Sequence, residues 1–440
     1  MREADVPQEG NRTLDGHRKT VFARGADGRL KAVASAGWEV EEIVTRQAVE
    51  DLERLADDAR RRVLAGQTSP LEYHMHRLRM DVPVAVAHPP PFPTGGVRPP
   101  VARPARPLRR GDGADGRRAA TGGRMSFEHR HASHCESGVV ANMLRHHGLD
   151  LSEPMAFGLS SALSFAYLPI IRINGLPLVA YRMPPRFILK GIQQPLGLKM
   201  RFETFRTPDS GERRLDELLA AGRVVGLQTS VFWLPYMPPD LRFHFNAHNV
   251  LAYGRDGDDY LLSDPVAEET VRCAAADLAR ARFARGALAP KGLLYYPLGT
   301  PREPAWESVL PKAMRKTTRI MLDTPLPIIG VRGIRRLAAA IGRLDARRDA
   351  ARSKLFIGQV VRMQEEIGTG GGGFRFIYAA FLQECAARLN RPVFDELADR
   401  LIDIGDEWRE FALATARMIR DRDPLEPLRL AGLLNALAER

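Results

Sequence analysis

Residues 131–147 read HASHCESGVVANMLRHH, and this stretch decides how the rest of the chain is interpreted. A polar loop leads to Cys135, after which apolar residues recur at the spacing of one helix face: Val139, Val140, Met143 and Leu144. Cys135 is therefore expected at the start of a helix, where the helix N-terminus stabilises a thiolate. We expect Cys135 to be a nucleophile, and the alternative is a buried structural cysteine.

A second stretch, AHNVLAYGRDGDDYLLSDP (247–265), predicts a β-hairpin. One strand covers Phe243–Tyr253, a polar turn follows, and a second strand covers Tyr260–Ser263. His248 on the first strand and Asp264 at the end of the second can then be neighbours. Asp264 would fix the imidazole tautomer while the other ring nitrogen takes the thiol proton. The chain order Cys, His, Asp suits a papain-like arrangement.

The stretch HCESGVVANMLRHHGLDLSEPMAFGLSSALSFAY (134–167) and the hairpin 247–265 resemble the N-terminal domain of the butirosin-biosynthesis acyltransferase family. Residues 302–440 resemble the helical domain of unknown function that often follows it, so the resemblance covers about 125–440. It implies a cysteine-peptidase-like fold that moves an acyl group from an acyl-carrier-protein thioester, through a cysteine, to a small amine acceptor. By matching position, Cys135 is the nucleophile, His248 the base and Asp264 the orienting carboxylate. The implied setting is antibiotic biosynthesis, a branch of secondary metabolism, with no cofactor.

Three function classes remain open. The first is the acyltransferase, the second is a cysteine peptidase or amidase with the same residues and water as acceptor, and the third is a binding protein on a degenerate peptidase fold. The intact Cys-His-Asp set argues against the third. Papain-like peptidases often carry a glutamine about six residues before the cysteine, where this chain has His129. An oxyanion hole would need the Cys135 N–H and a second donor, for which His134 and His131 are candidates.

Other residues carry weaker signals. Glu136 and Glu153 are candidates for contact with a cationic amine acceptor, although Glu153 before Pro154 can equally cap a helix. The histidines between 129 and 147 suggest a zinc site, but no HExxH or paired CxxC occurs, and we expect no metal. The glycine run 368–373 lacks the GK[ST] ending of a phosphate loop and is expected to be a flexible connection.

The predicted fold class is α+β: a papain-like domain at 125–300 followed by an all-helical domain at 301–440. Helical patterns in the latter cover roughly 303–318, 330–345, 348–367, 374–389, 393–420 and 425–438. A small, mainly helical module is expected at 1–88. Residues 89–124 hold eight Arg and two Asp among many Pro and Gly, and we expect a disordered linker there. Met125 is an alternative start.

The net charge of the 440 residues is +12, half of it from the linker, so nucleic-acid binding is not expected. Three scattered cysteines and an N-terminus without an apolar segment predict a cytoplasmic protein that does not enter the membrane. The oligomeric state stays open. One basic set is expected to help dock an acidic acyl carrier protein: Lys312, Arg315, Lys316, Arg319, Arg332, Arg335, Arg336, Arg343, Arg347, Arg348 and Arg352.

Overall fold

A computed structural model describes residues 20–24, 30–34, 127–173, 175–238, 242, 245–365 and 368–440. Strands β1 (Thr20–Arg24) and β2 (Leu30–Ala34) pair as an antiparallel hairpin. The sequence did not predict this hairpin, and the helices and linker predicted before residue 125 lie outside the described residues. Among the described residues, no helix combines the length and apolar character needed to cross a bilayer.

The region from 127 to 297 is built on a six-stranded antiparallel sheet with the strand order β5-β10-β6-β7-β8-β9. The strands are β5 (Met200–Glu203), β6 (Val225–Thr229), β7 (His248–Asp256), β8 (Asp259–Ser263), β9 (Val271–Ala274) and β10 (Leu294–Pro297). A separate hairpin joins β3 (Leu163–Ile173) to β4 (Leu176–Arg182). The sequence predicts this hairpin, and Asn174 of its predicted Asn174-Gly175 turn lies outside the described residues.

Helices cover the sheet. They are α1 (Cys135–His146), α2 (Glu153–Leu159), α3 (Phe187–Gly191), α4 (Pro208–Ala220) and α5 (Ala275–Arg282). Successive residues of β7 face opposite sides of the sheet. Leu251 and Tyr253 join one apolar core with α1, whereas Val250 and Ala252 join another with α4 and α5. We call these the helical-side core and the outer-sheet core.

Residues 306–439 are helical: α6 (Trp306–Thr318), α7 (Gly330–Gly342), α8 (Ala350–Glu365), α9 (Arg375–Leu389), α10 (Val393–Ile419) and α11 (Pro427–Glu439). Their apolar faces belong to the same helical-side core as α1 and α2. The central helix α9 is buried over most of its length and packs on α2, and the β1–β2 hairpin lies beside it. The two regions therefore share one interior.

The α+β fold class, with a helical region after the sheet region, is confirmed. Helical spacing located the six helices after residue 302 to within a few residues, because each buries one apolar face against the others. The short strand β9 and the five-residue helix α3 were missed, since both are too short to show a period.

Candidate active site

Cys135 is the first residue of α1, and a polar network holds the loop before it. His134 is the N-cap residue, and its Nδ1 accepts a hydrogen bond from the Ser137 N–H at 3.3 Å. The backbone N–H of Cys135 has no acceptor among the described residues, as expected for the first turn of a helix. This N–H is free to face an oxyanion that forms on an acyl group attached to the sulfur.

The Glu153 carboxylate, from the first turn of α2, organises that loop. Its oxygens accept hydrogen bonds from the backbone N–H groups of Ser133 (3.0 Å) and His134 (2.8 Å). They also accept from the hydroxyls of Ser133 (2.9 Å) and Ser137 (3.1 Å). Burial raises the pKa of Glu153, and these four hydrogen bonds act in the opposite direction. Glu153 thus fixes the backbone that carries the thiol.

The structure places His248 and Asp264 side by side at the end of the β7–β8 hairpin. The imidazole Nε2 donates to Asp264 Oδ2 over 2.7 Å, and both side chains are buried. Asp264 also accepts hydrogen bonds from the Tyr236 hydroxyl at 2.9 Å and from the Val266 N–H at 3.2 Å. Since Asp264 occupies Nε2, the other ring nitrogen of His248 is left for the thiol of Cys135.

The charges of His248 and Asp264 stabilise each other. Burial by itself would lower the pKa of His248, but the charge and hydrogen bond of Asp264, aided by a hydrogen bond with Cys135, raise it to about 10. Burial would raise the pKa of Asp264, yet the neighbouring His248 holds it below its ordinary value. The site therefore favours an imidazolium beside a carboxylate.

The two histidines predicted for the oxyanion hole have other positions. His134 is packed edge-on to the Phe374 ring at 5.1 Å, and burial holds its pKa well below the ordinary value, so it is a neutral helix cap. His131 borders a cavity of about 450 Å³ between α1, α2 and α9, whose lining includes neither Cys135 nor His248. His129, in the usual glutamine position, donates from Nε2 to the Ala267 carbonyl and accepts from the Ser263 hydroxyl.

The two predicted acceptor carboxylates are also used by the protein itself. Glu136 is fully buried, accepts the backbone N–H of Ile188 at 2.9 Å and forms an ion pair with Arg182 at 3.3 Å. It joins α1 to the start of α3, and Glu153 holds Ser133 and His134, the loop before Cys135, which we call the cysteine loop. The fully buried Glu136 carboxylate is held by these partners, whereas Glu153 also borders the cavity between α1, α2 and α9, and contact of either residue with an amine acceptor stays a prediction. The sequence could not show how Glu136 is held, because its partners lie about fifty residues away.

The glycine run 368–373, which we call the glycine loop, is also not a flexible connection. Residues 369–373 are buried, and the loop packs behind the cysteine loop. Gly370 has φ +68°, and a β-carbon there would lie 3.0 Å from Ile377 and 3.3 Å from the Ser133 hydroxyl. Glycine is required because the backbone is left-handed and space is lacking. Burial leaves no room for a phosphate.

Sequence reasoning missed two groups that touch the reacting residues. Tyr236 donates to Asp264, and the Asn249 amide nitrogen lies 4.0 Å from the Cys135 sulfur. The only available signal was the adjacency of His248 and Asn249 in the hairpin stretch. Among the described residues, no group of three His, Cys, Asp or Glu side chains is gathered to hold a metal ion.

Fold and site define a cysteine-dependent enzyme with a papain-like arrangement: a cysteine at a helix start, facing a histidine and an aspartate on an antiparallel sheet. Residues 134–265 match the family described as butirosin biosynthesis protein H, N-terminal. Residues 276–440 match a domain of unknown function (DUF4872). The two matches follow one another along the chain, and each covers less than half of it.

Among solved structures, the chain is similar to a crystal structure described as a putative C39-like peptidase from Bacillus anthracis, with 14% sequence identity and a TM-score of 0.27. The match covers 38% of this chain and 90% of that one. No curated relative matches the sequence.

Proposed function

We propose that this protein transfers an acyl group from the thioester of an acyl carrier protein, through Cys135, to an amine acceptor in antibiotic biosynthesis. The observation that carries the proposal is the contact of His248 with both Asp264 and Cys135 at the start of α1. The family supplies the context, because butirosin biosynthesis protein H is named for the making of an antibiotic.

The groups of the site support each step of such a transfer. With the thiol proton held on His248 as an imidazolium, the Cys135 sulfur attacks the thioester carbonyl while the Cys135 N–H stabilises the oxyanion. The carbon–sulfur bond to the carrier breaks, and the leaving thiolate takes the proton from His248. An amine then attacks the acyl-enzyme and gives its proton to His248, and the proton returns to the sulfur as that carbon–sulfur bond breaks.

The reacting groups have little contact with bulk solvent. Cys135 is 7% exposed, His248 is 4% exposed and Asp264 is fully buried. A site that excludes water protects a reactive acyl-enzyme from hydrolysis. The second candidate is a cysteine peptidase or amidase, which would use the same three residues with water as acceptor. The two differ in the fate of the acyl-enzyme, so the acceptor decides between them.

The exposed basic set has a charge opposite to that of an acidic acyl carrier protein, the partner that would deliver the acyl group. Arg332, Arg335 and Arg336 lie on the exposed face of α7. On α6 the Lys316 ammonium lies 5.1 Å from the centre of the Phe187 ring. Phe187 begins α3, whose next residue donates its N–H to Glu136, the neighbour of Cys135. A carrier that contacts Lys316 would thus be connected to the cysteine loop through α3.

Docking is tested by the salt dependence of acyl loading from the carrier. Changing Arg335 and Arg336 to Glu should slow loading at low salt by about tenfold, with less effect at high salt. The matched control changes Arg391 and Arg400, which are exposed near the start of α10, to Glu. Equal loading rates at low salt for wild type and the α7 variant would end the docking proposal without affecting the chemistry of Cys135.

Acyl transfer itself is tested by intact mass spectrometry after incubation with acyl-carrier thioesters. We expect a mass increase equal to the acyl group, located on the peptide that contains Cys135. Cys273 and Cys385 are free and buried, and burial raises the pKa of both thiols, so they should stay unlabelled. Absence of any adduct with a panel of carrier-bound acyl groups, from a protein whose Cys135 reacts with iodoacetamide, would contradict the proposal.

A further inference from the structure

Asn249 is a buried amide in a position where an apolar side chain would be expected. It lies on the same face of β7 as Leu251 and Tyr253, the face that packs on α1. Only 3% of Asn249 is exposed. Burying an amide costs free energy unless its hydrogen-bonding groups are satisfied, so its partners should reveal why the residue is polar.

The partners of Asn249 fix the orientation of its amide. Its Oδ1 accepts a hydrogen bond from the Tyr295 hydroxyl at 2.9 Å, and its Nδ2 donates to the Ala247 carbonyl at 3.1 Å. Burial raises the pKa of Tyr295 well above its ordinary value, so the hydroxyl keeps its proton and remains a donor. With Oδ1 and one N–H of Nδ2 assigned, the second N–H is left for the sulfur of Cys135.

We propose that Asn249 is a catalytic residue whose amide N–H stabilises the Cys135 thiolate, and that Tyr295 is the positioning residue that holds this amide. The nitrogen lies 4.0 Å from the sulfur, a long contact for a neutral thiol. Hydrogen bonds to ionised acceptors are shorter and about twice as strong as neutral ones, so the contact gains strength when the thiol loses its proton. Asn249 and His248 then approach the sulfur as neighbouring residues of one strand.

This role deepens the proposed function, since it concerns the same nucleophile, but its test needs no acyl donor. Iodoacetamide reacts with thiolates, so its rate constant with Cys135 as a function of pH reports how readily the thiolate forms. Mapping of the labelled peptide restricts the signal to Cys135. Failure of acyl transfer would leave this profile unchanged, which keeps the two proposals distinguishable.

The first variant is Asn249→Leu, which keeps the volume and removes both donors. We expect its alkylation rate at pH 7 to fall by about tenfold, the effect of one hydrogen bond to a charged group. The deficit should disappear at high pH, where a cysteine is ionised without assistance. A purely structural role would lower the rate by the same factor at every pH.

The matched control is Asn246→Leu, which makes the same exchange in a nearby buried amide. Asn246 donates to the carbonyls of Arg285 and Ala287 and does not contact the sulfur. Its profile should match wild type. If Asn249→Leu does not fold, Tyr295→Phe decides, with an expected loss of about threefold at pH 7. A profile identical to wild type in the folded Asn249→Leu protein, or in Tyr295→Phe when that variant decides, would overturn the proposal.

Discussion

The two sides of the active site are supported by different parts of the molecule. The nucleophile side rests on α1, whose apolar residues Val139, Val140 and Met143 belong to the helical-side core. The base side rests on β7 and β8, where Val250 and Leu262 belong to the outer-sheet core. Cys135 therefore depends on contacts with both regions, whereas His248 and Asp264 depend mainly on the sheet region.

The polar contacts follow the same division. On the nucleophile side, the loop residues Ser133 and His134 are held by Glu153 and backed by the glycine loop of the helical region. On the base side, Asp264 is held by Tyr236 and by a backbone N–H of its own turn. The helical region therefore completes the interior around the nucleophile that the sheet region carries.

The largest expected effect comes from removing the nucleophile. Cys135→Ala should abolish acyl-enzyme formation, because a methyl group cannot attack a thioester. Intact mass spectrometry measures the adduct. Cys273→Ala is the matched control, since Cys273 is buried in the outer-sheet core, and it should retain the adduct. An undiminished adduct in Cys135→Ala would remove the assignment.

The next effect concerns the base side. Asp264→Asn should slow acyl-enzyme formation by about 10²-fold or more, the range for general acid–base catalysis. With the pKa of His248 raised to about 10, the wild-type rate should fall only as the pH rises through that value, where the imidazolium loses its proton. In Asp264→Asn, which lacks the carboxylate charge, this decrease in rate should occur at lower pH. Rate–pH profiles of both proteins measure the difference.

The control for the base side is Asp258→Asn, in the exposed turn between β7 and β8, which should behave as wild type. The raised pKa of His248 also predicts how the free energy of unfolding depends on pH. His248 holds its proton more tightly in the folded protein than in the unfolded chain. Its contribution to the free energy of unfolding is therefore complete below about pH 6.5 and is lost as the pH rises through about 10. Coincident rate–pH profiles for Asp264→Asn and wild type would show that the Asp264 charge does not set the titration of His248.

A smaller effect tests whether the helical region supports the nucleophile. Gly370→Ala places a β-carbon against Ile377 and Ser133 on a left-handed backbone, and should destabilise the protein by about 2–3 kcal/mol. Its acyl-enzyme formation should also slow. In the control Gly197→Ala, φ is +57° but nothing lies within 4 Å, so only the backbone cost of about 1 kcal/mol should appear.

Chemical denaturation and single-turnover rates separate these two effects. If Gly370→Ala and Gly197→Ala lose equal stability and both keep the wild-type rate, the glycine loop does not position the cysteine loop, and the contrast between the two sides of the site is lost.

The smallest expected effect is that of removing residues 1–124. A chain that starts at Met125 should remain folded and form the acyl-enzyme at a similar rate, because the described interior of both regions lies after that residue. Thermal unfolding and acyl loading measure this. Since the β1–β2 hairpin lies beside α9, a modest loss of stability is compatible with this result. Insoluble or inactive protein would show that the first 124 residues are integral.

The sequence predicted those features that depend on local pattern. Helical spacing located the helices after residue 302, and the Asn174-Gly175 turn located the β3–β4 hairpin. The loop-to-helix change at Cys135 and the His248 hairpin showed which residues to bring together. The roles of Glu136, Glu153 and the glycine loop depend on partners that are distant in the chain. An acidic residue or a glycine run carries no local mark of such a partner.

The central claim, that Cys135 carries an acyl group to an amine, is tested most directly by the fate of the acyl-enzyme. The acyl-enzyme is formed, freed of donor and mixed with an amine in buffered H₂¹⁸O, and both products are quantified by mass spectrometry. The account predicts that the amide dominates and that free acid with ¹⁸O forms slowly, because the buried site excludes water. Rapid ¹⁸O incorporation at every amine concentration, with no amide, would contradict it and identify a hydrolase.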